Sequence, residues 1–258
     1  MADNNNALKL AVLIDADNVP YSNVRGMMEE IAKFGTPTTK RIYADWTRPN
    51  ATGWKSVLLE HAITPVQQYS YTVGKNSSDS ALIIDAMDLL YTGKVDGFCI
   101  VSSDSDFTRL AIRLRESGML VIGMGEQKTP PSLIAACDRF IFIEVLEGYS
   151  KKKKDPKPEP VTPDVQKPQP AKQTRKIDEP TLDLIESTIE DLGDDDGWAF
   201  LGDVGNLVVR KKPEFDPRNY GFNKLTPLLK SLSDMLEIDE RDSDRKGIKH
   251  VYVRLRNS

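Results

Sequence analysis

Several aspartates stand where apolar segments stop. The run from Leu10 to Ile14 ends at Asp15, followed by Ala16, Asp17 and Asn18; the run from Phe98 to Val101 leads through Ser102 and Ser103 to Asp104 and Asp106. Asp79 falls just inside a helix expected to begin near Ser77. A carboxylate at the inner end of an apolar strand is costly to desolvate without a partner or a metal. Three or four of them in one crevice repel one another. A hard divalent cation relieves that repulsion, because it takes oxygen ligands from one or two carboxylates, waters and substrate phosphates. Mg²⁺ or Mn²⁺ held there would activate water and neutralise charge on a phosphodiester in the transition state. Asn18, Ser102 and Ser103 have the polar groups to orient waters or phosphate oxygens, and Lys75, four residues before Asp79, would offer the substrate a positive charge.

These residues also have plainer readings. Asp79, Asp104 and Asp106 fit helix starts, and Ser103-x-x-Asp106 has the form of a capping box. Asp17 reads as a turn residue. Asp85 lies six positions after Asp79, a rotation of about 240° along a helix, so it is expected in packing and not at a metal. His61 and His250 are assigned to structure or surface.

The elements that must position these groups alternate along the first 147 residues. Strand-like runs occur at Leu10 to Asp15, Lys40 to Asp45, Thr64 to Gln68, Phe98 to Ser102, Leu120 to Met124 and Phe140 to Val145. Amphipathic stretches lie between them, near Ser22 to Phe34, Trp54 to His61, Ser80 to Tyr91, Phe107 to Ser117 and Pro131 to Cys137. This order predicts an α/β unit, a mostly parallel sheet covered by helices on both faces. Ligands of such sheets collect at the carboxyl ends of the strands, where strand order reverses. If the first and fourth strands are neighbours there, Asp15 and Asp104 face one crevice. No GxGxxG and no P-loop lysine motif is present, so a dinucleotide or nucleoside-triphosphate site has no support.

The chain of 258 residues, 39% hydrophobic, is longer than one average domain and apolar enough to bury a core. Its longest apolar runs fall far short of the roughly 18 residues of a membrane helix. The N-terminal MADNNNALKL has neither the basic nor the apolar region of a secretory signal. Cys99 and Cys137 sit in apolar segments, as buried thiols of a reducing cytoplasm would; they and the two histidines show no zinc-ligand spacing.

Charge is unevenly spread. Residues 151–178 carry nine Lys and Arg against four Asp and Glu, whereas residues 1–150 and 179–258 have net charges of −4 and −5. The basic stretch, SKKKKDPKPEPVTPDVQKPQPAKQTRKID from Ser150, is rich in proline and poor in apolar side chains. It is expected to be an extended tether over 148–178 joining two folded units. After it, helices are expected at Thr181 to Leu192, Leu201 to Lys211 and Phe222 to Ser233, then strands near Met235 to Asp239 and from Lys249 to Leu255. Helices first and a β-hairpin last outline a small winged-helix-like domain over 179–258. The acidic balance does not favour nonspecific nucleic-acid binding, so such a function needs a local patch or a metal-bridged site.

LIDADN at 13–18, KNSSDSALIIDAM at 75–87, IVSSDSDF at 100–107 and VIGMGEQKTPPSLIAACDRFIFI at 121–143 together resemble an NYN domain of the LabA-like branch of the PIN-like nuclease superfamily. The resemblance covers about residues 8–147. It implies a metal-dependent nuclease fold acting on RNA, with acidic ligands falling on Asp15, Asp79 and Asp104 and supporting roles for Asn18 and Asp106. Many relatives have glycine after the first aspartate; here Ala16-Asp17 adds a carboxylate. Residues 197–205, GWAFLGDVG, and 219–229, NYGFNKLTPLL, resemble an OST-HTH, or LOTUS, domain. Such modules are linked with RNA and with protein partners. Single-stranded RNA is the expected ligand, contacted by Arg210, Lys211, Lys212, Arg218 and Lys224, with Tyr220 either stacking on a base or packing beside Phe222.

Two rival readings remain. Asp15-Ala16-Asp17-Asn18-Val19 also fits the first motif of haloacid-dehalogenase-like phosphatases, in which the first aspartate is a nucleophile and the second a general acid. That family expects a lysine shortly before a later acidic pair, and Val95 to Ser103 contains none. The other rival is a noncatalytic RNA-binding or adaptor protein, against which stands the presence of Asp15, Asp79, Asp104 and Asp106 together.

Overall fold

The computed structural model describes residues 7–47, 53–69, 77–146, 175–242 and 249–256. The chain divides into two compact units, one within residues 1–171 and the other within 172–258.

The first unit is built on six strands: β1 (Lys9–Asp15), β2 (Thr36–Ala44), β3 (Thr64–Gln67), β4 (Gly97–Val101), β5 (Leu120–Gly125) and β6 (Arg139–Phe142). They form one parallel sheet in the order β3-β2-β1-β4-β5-β6. Strand order therefore reverses between β1 and β4, which pair directly, with Leu13 opposite Ile100 and Ile14 opposite Val101. β1 and β4 are almost wholly buried because both faces are covered, which is why they read as continuous apolar runs and not as alternating ones.

Side chains of a strand alternate between faces, and here the two faces carry separate cores. Leu10, Val12 and Ile14 of β1 pack with Cys99, Val101, Ile122 and Met124 against α1 (Val24–Ile31) and α2 (Trp54–Glu60). Ala11 and Leu13 pack with Phe98, Ile100 and Val121 against α3 (Ser77–Thr92), α4 (Thr108–Glu116) and α5 (Pro131–Ala136). By the same alternation Asp15 and Ser102 point to the side of α3 and α4. Cys99 and Cys137 are free and buried, and burial pushes the Cys137 thiol up to about 12. They are packing residues.

In the second unit α6 (Glu179–Leu192), α7 (Leu201–Lys211) and α8 (Leu225–Lys230) precede the hairpin strands β8 (Leu236–Asp242) and β9 (Lys249–Leu255). A two-residue strand, β7 (Ala199–Phe200), adds to the other edge of β9, so the antiparallel sheet has the order β7-β9-β8. Ile185, Ile189, Val204, Val208, Leu228, Leu229 and Val253 form its core. Residues 175–178, placed in the tether on sequence grounds, already belong to this unit: the Arg175 amide donates to the Asn219 carbonyl, 2.8 Å away, and Ile177 packs on the core. The remainder of the expected tether up to residue 174 lies outside the described residues. Among the described residues no helix is long and apolar enough to cross a membrane.

Candidate active site

The site forms at the carboxyl ends of β1 and β4. Asp15 is the last residue of β1 and is 2% exposed. The pairing that puts Ile14 opposite Val101 brings Ser102 beside it one step further on. The Ser102 hydroxyl, fully buried, donates to Asp15 Oδ2 at 2.9 Å and accepts from the Asp104 amide at 3.1 Å. Asn18 Nδ2 donates to the same carboxylate oxygen, and the Asp17 amide donates to Oδ1 at 3.1 Å. Burial nevertheless holds the Asp15 pKa above the ordinary carboxylate value, against the lowering effect of these hydrogen bonds.

Asp79 reaches the crevice from α3. It stands three and seven residues before Leu82 and Ala86, both fully buried against the sheet, so the three share one helix face. Its position in the first helical turn places a negative charge at the favourable end of the helix dipole. Asp104 follows β4 and N-caps the 3-10 turn Ser105–Phe107, its Oδ1 accepting from the Asp106 amide at 3.0 Å. The capping interpretation is therefore correct for Asp104, and the cap turns Asp106 toward α3.

Asp79, Asp104 and Asp106 each bring a carboxylate oxygen within 4.8 Å of the others. Asp79 is buried at 8% exposure, Asp104 is half-buried and Asp106 is exposed. Burial first, and then the charges of Asp15, Asp104, Asp106 and Asp17, raise the Asp79 pKa to about 6. The donor set is all oxygen and all acidic, which suits a hard divalent cation. Asp15 lies outside that triplet and adds its charge from below, while Asp106, expected in a supporting role, is inside it.

Ser102 and Ser103 are not open to a substrate. Ser102 orients Asp15 and the Asp104 loop. Ser103 Oγ accepts from the Glu126 amide at 2.8 Å, tying that loop to the end of β5. A residue missed by sequence reasoning, Gly125, makes this closeness possible: a Cβ there would lie 2.6 Å from the Ser102 carbonyl and 2.9 Å from Ser103 Oγ. The signal was its place at the end of a strand beside the crevice. Lys75 lies outside the described residues. Asp85, as expected, is a packing group; Arg41 Nη1 and the Tyr43 hydroxyl donate to its Oδ2 at 2.7 and 2.8 Å.

In the second unit most of the expected basic patch is engaged internally. Lys211 pairs with Asp191 at 2.7 Å, Lys212 donates to Thr181 Oγ1 at 2.7 Å, and Arg218 grips Asp216 through Nη2 at 2.6 Å and Nε. Tyr220 packs against Phe215 with its hydroxyl 3.2 Å from that of Thr181, so the packing alternative describes it. Arg210 and Lys224 are exposed.

A doubly wound parallel sheet with an acidic crevice at the reversal of strand order is consistent with the nuclease-like fold of the PIN-like superfamily. The NYN domain model matches residues 9–144, and the chain belongs to that family. An OST-HTH/LOTUS domain model matches residues 172–248. Solved structures similar to this chain include a protein of unknown function from Vibrio parahaemolyticus RIMD 2210633, at 21% identity over 55% of this chain and 96% of that one, with a TM-score of 0.46. Another is an uncharacterized protein from Nitrosomonas europaea, at 28% identity over 43% of this chain and 94% of that one, with a TM-score of 0.27. No curated protein matches the sequence.

Proposed function

We propose that the first unit is a metal-dependent ribonuclease and that the second supplies RNA affinity or partner choice. The observation that carries the reading is the convergence of Asp79, Asp104 and Asp106 within 4.8 Å at the reversal of strand order. These three would hold Mg²⁺ or Mn²⁺, with the buried charge of Asp15 beneath them. When bound, the cation supplies an activated water and neutralises charge on the phosphodiester. The protein's own part is positioning. Ser102 and Asn18 fix Asp15, the Asp104 cap fixes the turn that carries Asp106, and the α3 packing face sets the depth of Asp79. The basic, proline-rich segment before residue 175 would act as a tether between the units.

Incubation of the purified chain with labelled single-stranded RNA and DNA tests this. Cleavage of RNA in Mg²⁺ or Mn²⁺, abolished by EDTA, is the expected result. RNA bound but uncut in Mn²⁺ would favour a noncatalytic binder, and release of phosphate from small esters through an aspartyl-phosphate would favour a phosphatase.

A further inference from the structure

The solvent face of the second unit's sheet is chemically unlike the rest of that unit. Pairing sets Phe200 opposite Tyr252 and Tyr252 opposite Asp239; Arg254 faces Glu237 and His250 faces Arg241. The alternate residues, Ala199, Val253, Ile238 and Val251, enter the core. One face thus collects Phe200, Tyr252 and His250, with Trp198 just before β7. The ring centroids of Phe200 lie 5.5 Å from His250 and 5.7 Å from Tyr252. Two guanidinium groups lie over rings: Arg241 is 4.3 Å from the Tyr252 centroid and 5.3 Å from that of Trp198, and Arg254 is 4.6 Å from Trp198. Phe200 remains 37% exposed, its ring resting over Gly202, where a Cβ would lie 2.7 Å from Cε1.

We propose that this face is a stacking platform for the unpaired bases of single-stranded RNA. This deepens, and rests on, the reading of RNA as the second unit's ligand. Aromatic rings and guanidinium planes are the surfaces on which splayed bases stack, and cation–π contacts tether both guanidinium groups to this face. Charge disfavours the α6 surface. α6 offers a polyanion only Glu179, Asp183, Glu186, Glu190 and Asp191, with no basic residue. On the sheet face both β8 carboxylates are neutralised, Asp239 by Arg241 at 2.8 Å and Glu237 by Arg254 at 2.7 Å. Since those arginines are already paired, affinity comes from stacking more than from phosphate neutralisation. Binding then favours unpaired over duplex RNA and has a shallow salt dependence.

The test uses the full chain in EDTA, where cleavage is suppressed, with fluorescence anisotropy of a labelled single-stranded RNA and of its duplex. Phe200→Leu and Tyr252→Leu each weaken single-strand binding by about 5- to 150-fold, Tyr252→Phe preserves it, and Arg254→Lys weakens it although charge is kept. Thermal melting confirms that each variant is folded. Unchanged affinity in folded Phe200→Leu and Arg254→Lys overturns the proposal, as does equal binding of duplex. So does capture by this face of a synthetic proline-rich peptide spanning residues 156–170, lost in Phe200→Leu while RNA binding is kept. Cleavage in Mn²⁺ is scored separately: platform variants that lose EDTA-phase binding while the wild type does not cut would sustain the platform and remove the nuclease reading. Cutting by a chain whose RNA affinity ignores these variants would do the reverse.

Discussion

The acidic crevice of the first unit and the sheet face of the second handle charge in opposite ways. In the crevice Asp79, Asp104 and Asp106 are drawn within 4.8 Å of one another, and the carboxyl of the most buried member is pushed up to about 6. On the sheet face Asp239 and Glu237 of β8 each have a guanidinium partner. Paired charges at a surface add little to stability, but they leave nothing to be relieved. Like charges gathered together cost stability, and that cost is what a cation or substrate can remove. α3 shows the same contrast over two turns: Asp85 is satisfied by Arg41 and Tyr43, while the carboxyl of Asp79 is raised by burial and by the charges of Asp15, Asp104, Asp106 and Asp17.

The contrast breaks most visibly in activity. Asp104→Asn should lower RNA cleavage in Mn²⁺ on the order of 100-fold or more, as expected when a charge is removed from a site that stabilises a transition state electrostatically. Affinity for RNA measured in EDTA should not move. A wild-type cutting rate, with contaminating nuclease excluded, would sink the site assignment.

Next in size is the satisfied aspartate. Asp85→Ala strands the Tyr43 hydroxyl and the Arg41 guanidinium and should cost about 1–3 kcal/mol in denaturant unfolding. The folded fraction should cut RNA at the wild-type rate. A selective loss of cutting would place Asp85 in the site after all.

Asp79→Asn should behave in the other direction in metal-free protein. The folded pKa of Asp79, about 6, stands above its ordinary value of 3.8, so the native state holds the proton more tightly than the unfolded chain. Its ionisation therefore destabilises the fold progressively as pH rises through that window, and the penalty is complete above it. The variant should melt a few degrees higher than wild type at pH 8 in EDTA, with the difference closing near pH 4. A difference independent of pH would mean that Asp79 is not repelled. Mg²⁺ at pH 8 should raise the wild-type melting temperature more than that of the variant.

The smallest effect concerns the tether. Limited trypsin digestion at Lys151 to Lys154 should release two resistant fragments whose melting temperatures match those of the intact chain. Protection of the lysine run would show that the segment is held in the fold.

Much of this architecture was legible in the residues. Parallel strands buried on both faces leave continuous apolar runs, and the run from Phe98 marks β4 (Gly97–Val101) to within a residue. β2 was harder, because its first two thirds, Thr36 to Arg41, are mostly polar and half-exposed. β7 was missed: two residues cannot carry a pattern, and Ala199–Phe200 is a strand only because β9 pairs with it. The aspartates were legible at the site, but their grouping was not. Strand alternation and the Asn18 and Ser102 hydrogen bonds turn Asp15 inward, while a cap two residues long brings Asp106 into the triplet. The fates of Lys211 and Tyr220 were hidden for another reason. Their partners, Asp191 and Thr181, are 20 and 39 residues away in sequence, beyond the reach of any local pattern.

Asp79 and the Asp104–Asp106 pair ride on different elements, a helix and a strand end, that no backbone ladder joins. The depth of Asp79 is set by how far Leu82 and Ala86 hold α3 off the strands it packs on, β1 and β2, at Leu13 and Tyr43. The apolar layer beneath the crevice is thus its calliper, and one methylene added or removed there changes the gap between ligand groups without touching a single oxygen. Because Mg²⁺ insists on short, regular coordination and larger ions do not, the choice of any metal held there would be written partly in hydrocarbon.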